Sequence, residues 1–227
     1  MPAMKSSADP MRNIRLDLCY DGTRYKGWQR LSGVENTIQG KLEQTLSRIL
    51  DENIEISGVR CFSIPENYQS IVDLALAVGV KRIIMPLNDS YNAAQAAVKA
   101  GLTVDYFNTN QSSAQTAAKL NRHRTTATVN FGMVFNPANY VLAGENPFLM
   151  SFKRGRFIRT AVQLDLVDQT WDGNAVKLAR GNAEIKELIS IMRCYNFAGF
   201  MTLGGGTGYP GTLKDAVENF THLLDNM

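Results

Sequence analysis

Three carboxylates, Asp165, Asp168 and Asp172, follow one another closely just beyond a run of strand-forming residues. Gathered at one site, two such groups can divide general-acid and general-base work, one protonated and one ionised. Spread along a loop, they are a solvated acidic surface. Amides form a second set, because Asn108, Asn136, Asn139 and Gln163 stand at or near the ends of strand-like runs. An amide both donates and accepts, so this set suits sugar hydroxyls, or else the amides satisfy one another and loop backbone. It does not suit a divalent cation, which needs anionic oxygen or imidazole to offset its lost hydration. A third feature is Gly204-Gly205-Gly206-Thr207-Gly208, ahead of the last helical stretch. Backbone N–H groups at Gly205 and Thr207 could hold a phosphate there, with Arg180 as a nearby cation. The segment lacks the glycine order and Lys-Ser/Thr ending of nucleotide loops, and a plain connection or a surface arginine fits the same residues.

Other chemistries find little material. The chain has two histidines, neither in metal-ligand spacing, and its cysteines, Cys19, Cys61 and Cys194, form an odd, scattered set without C-x-x-C. Reduced thiols in a cytoplasmic protein are the natural reading. No Ser-His-Asp order and no Cys–His pairing stands out. Near the start, Arg12, Arg15, Arg24, Lys26 and Arg30 outnumber Asp17 and Asp21, with Tyr20, Tyr25 and Trp28 interleaved. That mixture suits base stacking with phosphate contacts. It equally describes a solvated strand edge whose aromatics pack on a helix.

The elements that would position these residues can be read from periodicity. The 227-residue chain, 44% hydrophobic and 20% charged, has the composition of a globular protein able to bury a sizeable core. A net charge of +3 is too small to point to nucleic acid by itself. No apolar run is long enough to span a membrane, and MPAMKSSADPMRN reads as a disordered leader over residues 1–11 rather than a signal peptide. Strands are predicted at Asn13–Tyr20, Ile54–Phe62, Arg82–Leu87, Thr103–Asn108, Thr126–Phe135, Phe157–Leu166 and Gly199–Leu203. Between them lie predicted helices at Thr37–Leu50, Glu66–Val78, Asn92–Ala100, Ala114–Asn121 and Ala183–Cys194, with a final helix Leu213–Leu224 capped by Thr212. Met133, Met150, Met192 and Met201 fall on apolar runs as core filler. Alternation of this kind implies an α/β protein with parallel strands, and seven strands fall one short of a closed (β/α) barrel.

Two stretches carry family resemblances. RNIRLDLCYDGTRYKGWQR, NTIQGKLEQTLSRIL and IEISG, within residues 12–58, resemble the opening of tRNA pseudouridine synthases that modify the anticodon stem-loop. That family continues with a G-R-T-D motif whose aspartate is the nucleophile. Here the chain reads Gly58-Val59-Arg60-Cys61-Phe62, so the resemblance implies no pseudouridine formation. From Ile54 onward, VGVKRIIMP, FNPANYVLAGENP and LARGNAEIKELISIMRCYNFAGFMTLGGG resemble the sugar phosphate isomerase/epimerase family with its xylose isomerase-like TIM barrel. Members of that family hold a divalent metal through two Glu, an Asp and a His at strand ends. At the matching positions this chain has Tyr106-Phe107-Asn108, Asn136, Asn139, Gln163 and Gly204, so the resemblance implies that the ligand set is gone.

The fold expected is therefore α/β, an incomplete or modified TIM-type barrel of about seven parallel strands with an N-terminal β-α-β unit. Residues 12–58 and 54–227 would share the junction strand and form one cooperative unit, whether by natural recombination, a misjoined gene or an artificial chimera. The expected function is that of a metal-free, non-catalytic barrel with no cofactor. It would bind a small polar, carbohydrate-like ligand or a protein partner through Asn108, Asn136, Asn139, Gln163, Asp165, Gly205 and Thr207. One alternative is an isomerase or epimerase transferring protons without a metal through Asp165 or Asp168. Another is an inactive RNA-binding relative of the synthases using Arg12, Arg24, Tyr25, Lys26, Trp28 and Arg30. Open sheet edges would also favour a homo-oligomer.

Overall fold

The computed structural model describes residues 37–50, 58–88, 91–126, 131–154, 157, 160–203 and 210–227. The expected first strand, the basic-aromatic stretch of residues 12–30 and the loop containing Gly205 and Thr207 lie outside them.

The described chain begins with helix α1 (Ile38–Leu50) and strand β1 (Val59–Arg60). Four strand–helix units follow: α2 (Gln69–Val78) with β2 (Arg82–Pro86), α3 (Tyr91–Lys99) with β3 (Thr103–Phe107), α4 (Ser113–Thr126) with β4 (Phe131–Phe135), and α5 (Pro137–Leu142) leading to β5 (Ala161–Leu166). A two-stranded hairpin, β6 (Asp168–Gln169) and β7 (Ala175–Val176), precedes α6 (Ile185–Cys194), β8 (Phe200–Leu203) and α7 (Leu213–Asp225). The main sheet has the order β1-β2-β3-β4-β5-β8, and every neighbouring pair is parallel. It is an open half-barrel, as the alternating pattern implied.

Strand residues of one parity bury Ile83, Met85, Val104, Tyr106, Met133, Phe135, Leu164 and Leu166 under the helices. The other parity faces the concave side, where Ile84, Phe107 and Val134 form a small apolar cluster of their own. Curvature is visible in contacts across that side. Arg60 on β1 pairs with Asp165 on β5 at 2.8 Å, and the Arg82 guanidinium of β2 lies 4.9 Å from the Phe200 ring of β8. Each contact joins strands four steps apart in the sheet. A flat sheet would separate them by roughly 19 Å, beyond the reach of the side chains. The sheet must therefore curl toward itself.

Several boundaries differ from expectation for local reasons. Thr126 ends α4 instead of opening a strand, and β5 begins at Ala161 rather than Phe157. Helix α5 and a π-helical segment over Pro147–Arg154 occupy a stretch for which no element is predicted. Asn136 caps α5 by accepting from the Asn139 N–H, with Pro137 in the first turn, where its missing N–H costs nothing. Thr212 caps α7 as expected, in a capping box with Asp215. Met133 and Met192 are buried in the core.

Candidate functional site

The concave side of the sheet is lined by charge as well as by apolar groups. Arg82 pairs with Asp105 on the neighbouring strand, and Asp105 also accepts from the Gly132 N–H at 3.0 Å. Gly132 must be glycine, because a Cβ there would run into Asp105 and the methyls of Val162. Asp165 is engaged more fully. One carboxylate oxygen meets Arg60, while the other accepts from Gln163 Nε2 and Thr202 Oγ1, both at 2.8 Å. With Asp165 1% exposed, this buried carboxylate has the partners that burial demands. These two pairs of opposite charges cancel.

At the carboxyl ends of the strands a cavity of about 410 Å³ opens above Arg60 and Phe107. Its wall includes Phe62, Thr109, Asn110, Asn136, Asn139, Leu142 and Gln169. Three of its amides are half committed. Asn136 Oδ1 caps α5, Asn139 Nδ2 donates to the Asn108 carbonyl at 2.6 Å, and Gln169 Nε2 donates to the Ala138 carbonyl at 2.5 Å. Each lines the cavity with further hydrogen-bonding capacity left on its amide. The floor is a stack in which the Arg60 guanidinium lies 4.4 Å from the Phe107 centroid and 5.5 Å from that of Phe62.

The residues expected to bind ligand are thus divided. Asn136 and Asn139 line the cavity, whereas Asn108, Gln163 and Asp165 do not. Parity explains Asn108: Phe107 faces the lumen, so the next residue points to the helix side. There its amide grips the backbone of Asn136, donating to the carbonyl at 2.8 Å and accepting from the N–H at 2.7 Å. Gln163 is buried in the lumen against Asp165 and Thr202. The lining residues Arg60, Phe62, Phe107 and Gln169 were not singled out as ligand-binding from sequence. The signal available was the same alternation, which puts Arg60 and Phe107 on the face opposite Val59 and Tyr106.

The acidic run is not one cluster. Asp168 accepts from the backbone N–H groups of Arg180, Gly181 and Ala183 at 2.9–3.0 Å, fastening the segment before α6 to β6. A Cβ at residue 181 would strike this carboxylate, which accounts for Gly181. Asp172 is exposed near the hairpin tip, beside Trp171, and Arg180 is exposed as well. Trp171 borders a second cavity of about 310 Å³ with Asn182, Glu184 and Lys186. His123 is fully buried, packed between the Tyr91 and Tyr106 rings at 4.4 Å with Nε2 at 2.5 Å from the Asn88 carbonyl. Burial pushes the Cys61 thiol up to about 11, with its own backbone hydrogen bond and Arg60 opposing. Among the described residues, no group of three or more His, Cys, Asp or Glu is placed to hold a metal ion. No helix among them is long and apolar enough to cross a membrane.

Solved structures share this architecture. A xylose isomerase domain protein from Planctomyces limnophilus superposes with a TM-score of 0.56 at 15% identity, over 82% of this chain and 83% of that one. The fold is xylose isomerase-like. A xylose isomerase domain-containing protein from Salmonella typhimurium LT2 gives a TM-score of 0.55 at 10% identity, over 88% of this chain and 86% of that one. A xylose isomerase-like TIM barrel protein from Mycobacterium smegmatis, in complex with magnesium, gives 0.54 at 13% identity, over 82% and 77% of the two chains. At such identities the likeness is one of fold.

Sequence similarity points elsewhere. The chain is 58% identical over 48 residues to tRNA pseudouridine synthase A of Bacillus sp. (strain KSM-64), covering 21% of this chain and 20% of that protein. It is 44% identical over 85 residues to tRNA pseudouridine synthase A of Chlorobium luteolum, covering 34% and 32%. The chain thus spans about a fifth to a third of the length of these relatives. No family model matches it.

Proposed function

We propose that this chain is a metal-free, non-catalytic barrel of xylose isomerase-like fold that binds a small polar ligand in the cavity at the carboxyl ends of its strands. The observation that carries the reading is the engagement of Asp165 and Asp168. Asp165 is surrounded by Arg60, Gln163 and Thr202, and Asp168 by three backbone N–H groups. A general base needs a lone pair within reach of a substrate proton. Asp165 lies outside the cavity lining, and Asp168, which borders the cavity, spends both oxygens on backbone N–H groups. The RNA-binding alternative rests on residues 12–30, outside the described residues, and draws support only from the partial similarity to tRNA pseudouridine synthases.

Sugar isomerisation and epimerisation both remove a carbon-bound proton. The test is NMR of aldoses, ketoses and their phosphates incubated with the protein in D₂O. The reading expects no deuterium incorporation above a protein-free control. Exchange that disappears in Asp165→Asn or Asp168→Asn would favour metal-independent proton transfer instead.

A further inference from the structure

The cavity's lining also constrains the chemical class of its ligand, granted the ligand-binding reading above. Arg60 carries five N–H donors. It lines the cavity, 16% exposed, and engages Asp165 through Nη2, so one contact leaves further guanidinium N–H groups uncommitted. An arginine with donors to spare calls for an acceptor oxygen. Its charge, however, is already matched by Asp165, and Arg82 is matched by Asp105. A phosphate or carboxylate beside this pair would be an unbalanced anion in a half-buried site, which is costly. The acceptor that fits is a neutral carbonyl.

The rest of the wall adds two requirements. Asn139 and Gln169 each give one N–H to backbone, which leaves the amide oxygen as an acceptor and a second N–H as a donor for polar groups of a ligand. Phe62 and Leu142, 53% and 50% exposed, form an apolar rim on the same cavity. Such a rim is suited to a methyl group and the C–H face of a ring. We infer that the cavity takes an N-acylated sugar: an uncharged ring bearing an acetamido group. The acyl carbonyl meets Arg60, the amide N–H and hydroxyls meet Asn139 and Gln169, and the acetyl methyl and ring face lie against Phe62 and Leu142. A volume of about 410 Å³ falls within the range of small-molecule pockets.

The test is titration of the full chain, by calorimetry and by saturation-transfer NMR, with N-acetylglucosamine, glucose, glucosamine and glucuronate. N-acetylglucosamine is expected to bind at least about tenfold more tightly than the other three, with its acetyl methyl the most strongly saturated. Phe62→Ala, at a half-exposed position, is expected to weaken that binding by about tenfold while lowering the melting temperature by only a few degrees. Equal binding of glucose, or tighter binding of glucuronate, would overturn the N-acyl inference and leave a ligand-binding barrel in place. Failure of all four sugars to bind would overturn the inference and count against the small-ligand reading itself.

Discussion

Replacing Arg60 by Met removes the guanidinium while keeping an apolar stem against Phe107. Arg60 is 16% and Asp165 1% exposed, so the pair is largely buried. Removing one member of a buried pair usually costs 3–5 kcal/mol, because the remaining charge is stranded. Asp165 would keep Gln163 and Thr202. That residual solvation places the expected cost near the low end, about 3 kcal/mol. At about 2–4 °C per kcal/mol for a chain of this size, the melting temperature should fall by about 6–12 °C. Arg60→Met/Asp165→Asn removes both charges and should recover much of the loss, giving a coupling energy of about 2 kcal/mol in a double-mutant cycle. Urea unfolding at pH 7 supplies all four free energies. A cost below about 1 kcal/mol with no coupling would refute the reasoning. The pair would then behave as a surface contact, and the curl of the sheet would owe nothing to it.

Two further expectations concern cysteine and helix chemistry. With its pKa pushed up to about 11 from an ordinary 9.0, Cys61 holds far less thiolate near neutrality than an unperturbed thiol. The greater nucleophilicity of a high-pKa thiolate offsets part of this, leaving Cys61 about tenfold slower to alkylate at pH 7.5, which peptide mapping after timed iodoacetamide treatment would reveal. Because burial favours the neutral thiol, the stability linked to Cys61 is complete below its ordinary pKa of 9.0 and declines as pH rises through about 11. Alkylation of Cys61 as fast as that of a cysteine in an unstructured peptide would contradict this. Thr212→Ala should cost about 1 kcal/mol and loosen amide-exchange protection in the first turn of α7, since it removes the side-chain half of the capping box. Hydrogen bonds from Thr212 hold the Asp215 carboxyl below its ordinary value of 3.8. The cap's contribution is therefore present above that pH and lost as pH falls through the lowered value, a loss that Thr212→Ala should reduce but not abolish, because the backbone N–H of residue 212 still donates to Asp215.

The architecture was legible because parallel strands buried under helices leave runs such as Arg82-Ile83-Ile84-Met85-Pro86, whose length and flanking helical periods distinguish them from helix. The order of strands along the sheet follows the chain, so short right-handed connections suffice. The misreadings were local. Asn136-Pro137 is an N-cap and first-turn signal, but the helix it announces is a six-residue one, too short for an apolar period to mark. The hairpin at Asp168–Val176 is too short for periodicity to mark. Site residues were harder, because facing direction turns on a single position of register. Asn108 misses the cavity by one residue, and Phe107 reaches it. Arg60 was beyond sequence reading for another reason. Nothing local says that a strand-borne arginine will meet an aspartate more than a hundred residues later; only the curl of the sheet brings them together.

The central claim is the proposal that this barrel holds no divalent cation. Melting temperature with EDTA, Mn²⁺ and Mg²⁺, on protein whose metal content has been assayed, tests it most directly. The account predicts no stoichiometric metal and no change in melting temperature with any addition. A resident cation at a hundredfold excess over its dissociation constant would stabilise the fold by about 2.7 kcal/mol. For a chain of this size that is a rise of about 5–11 °C, reversed by EDTA, and observing it would contradict the account.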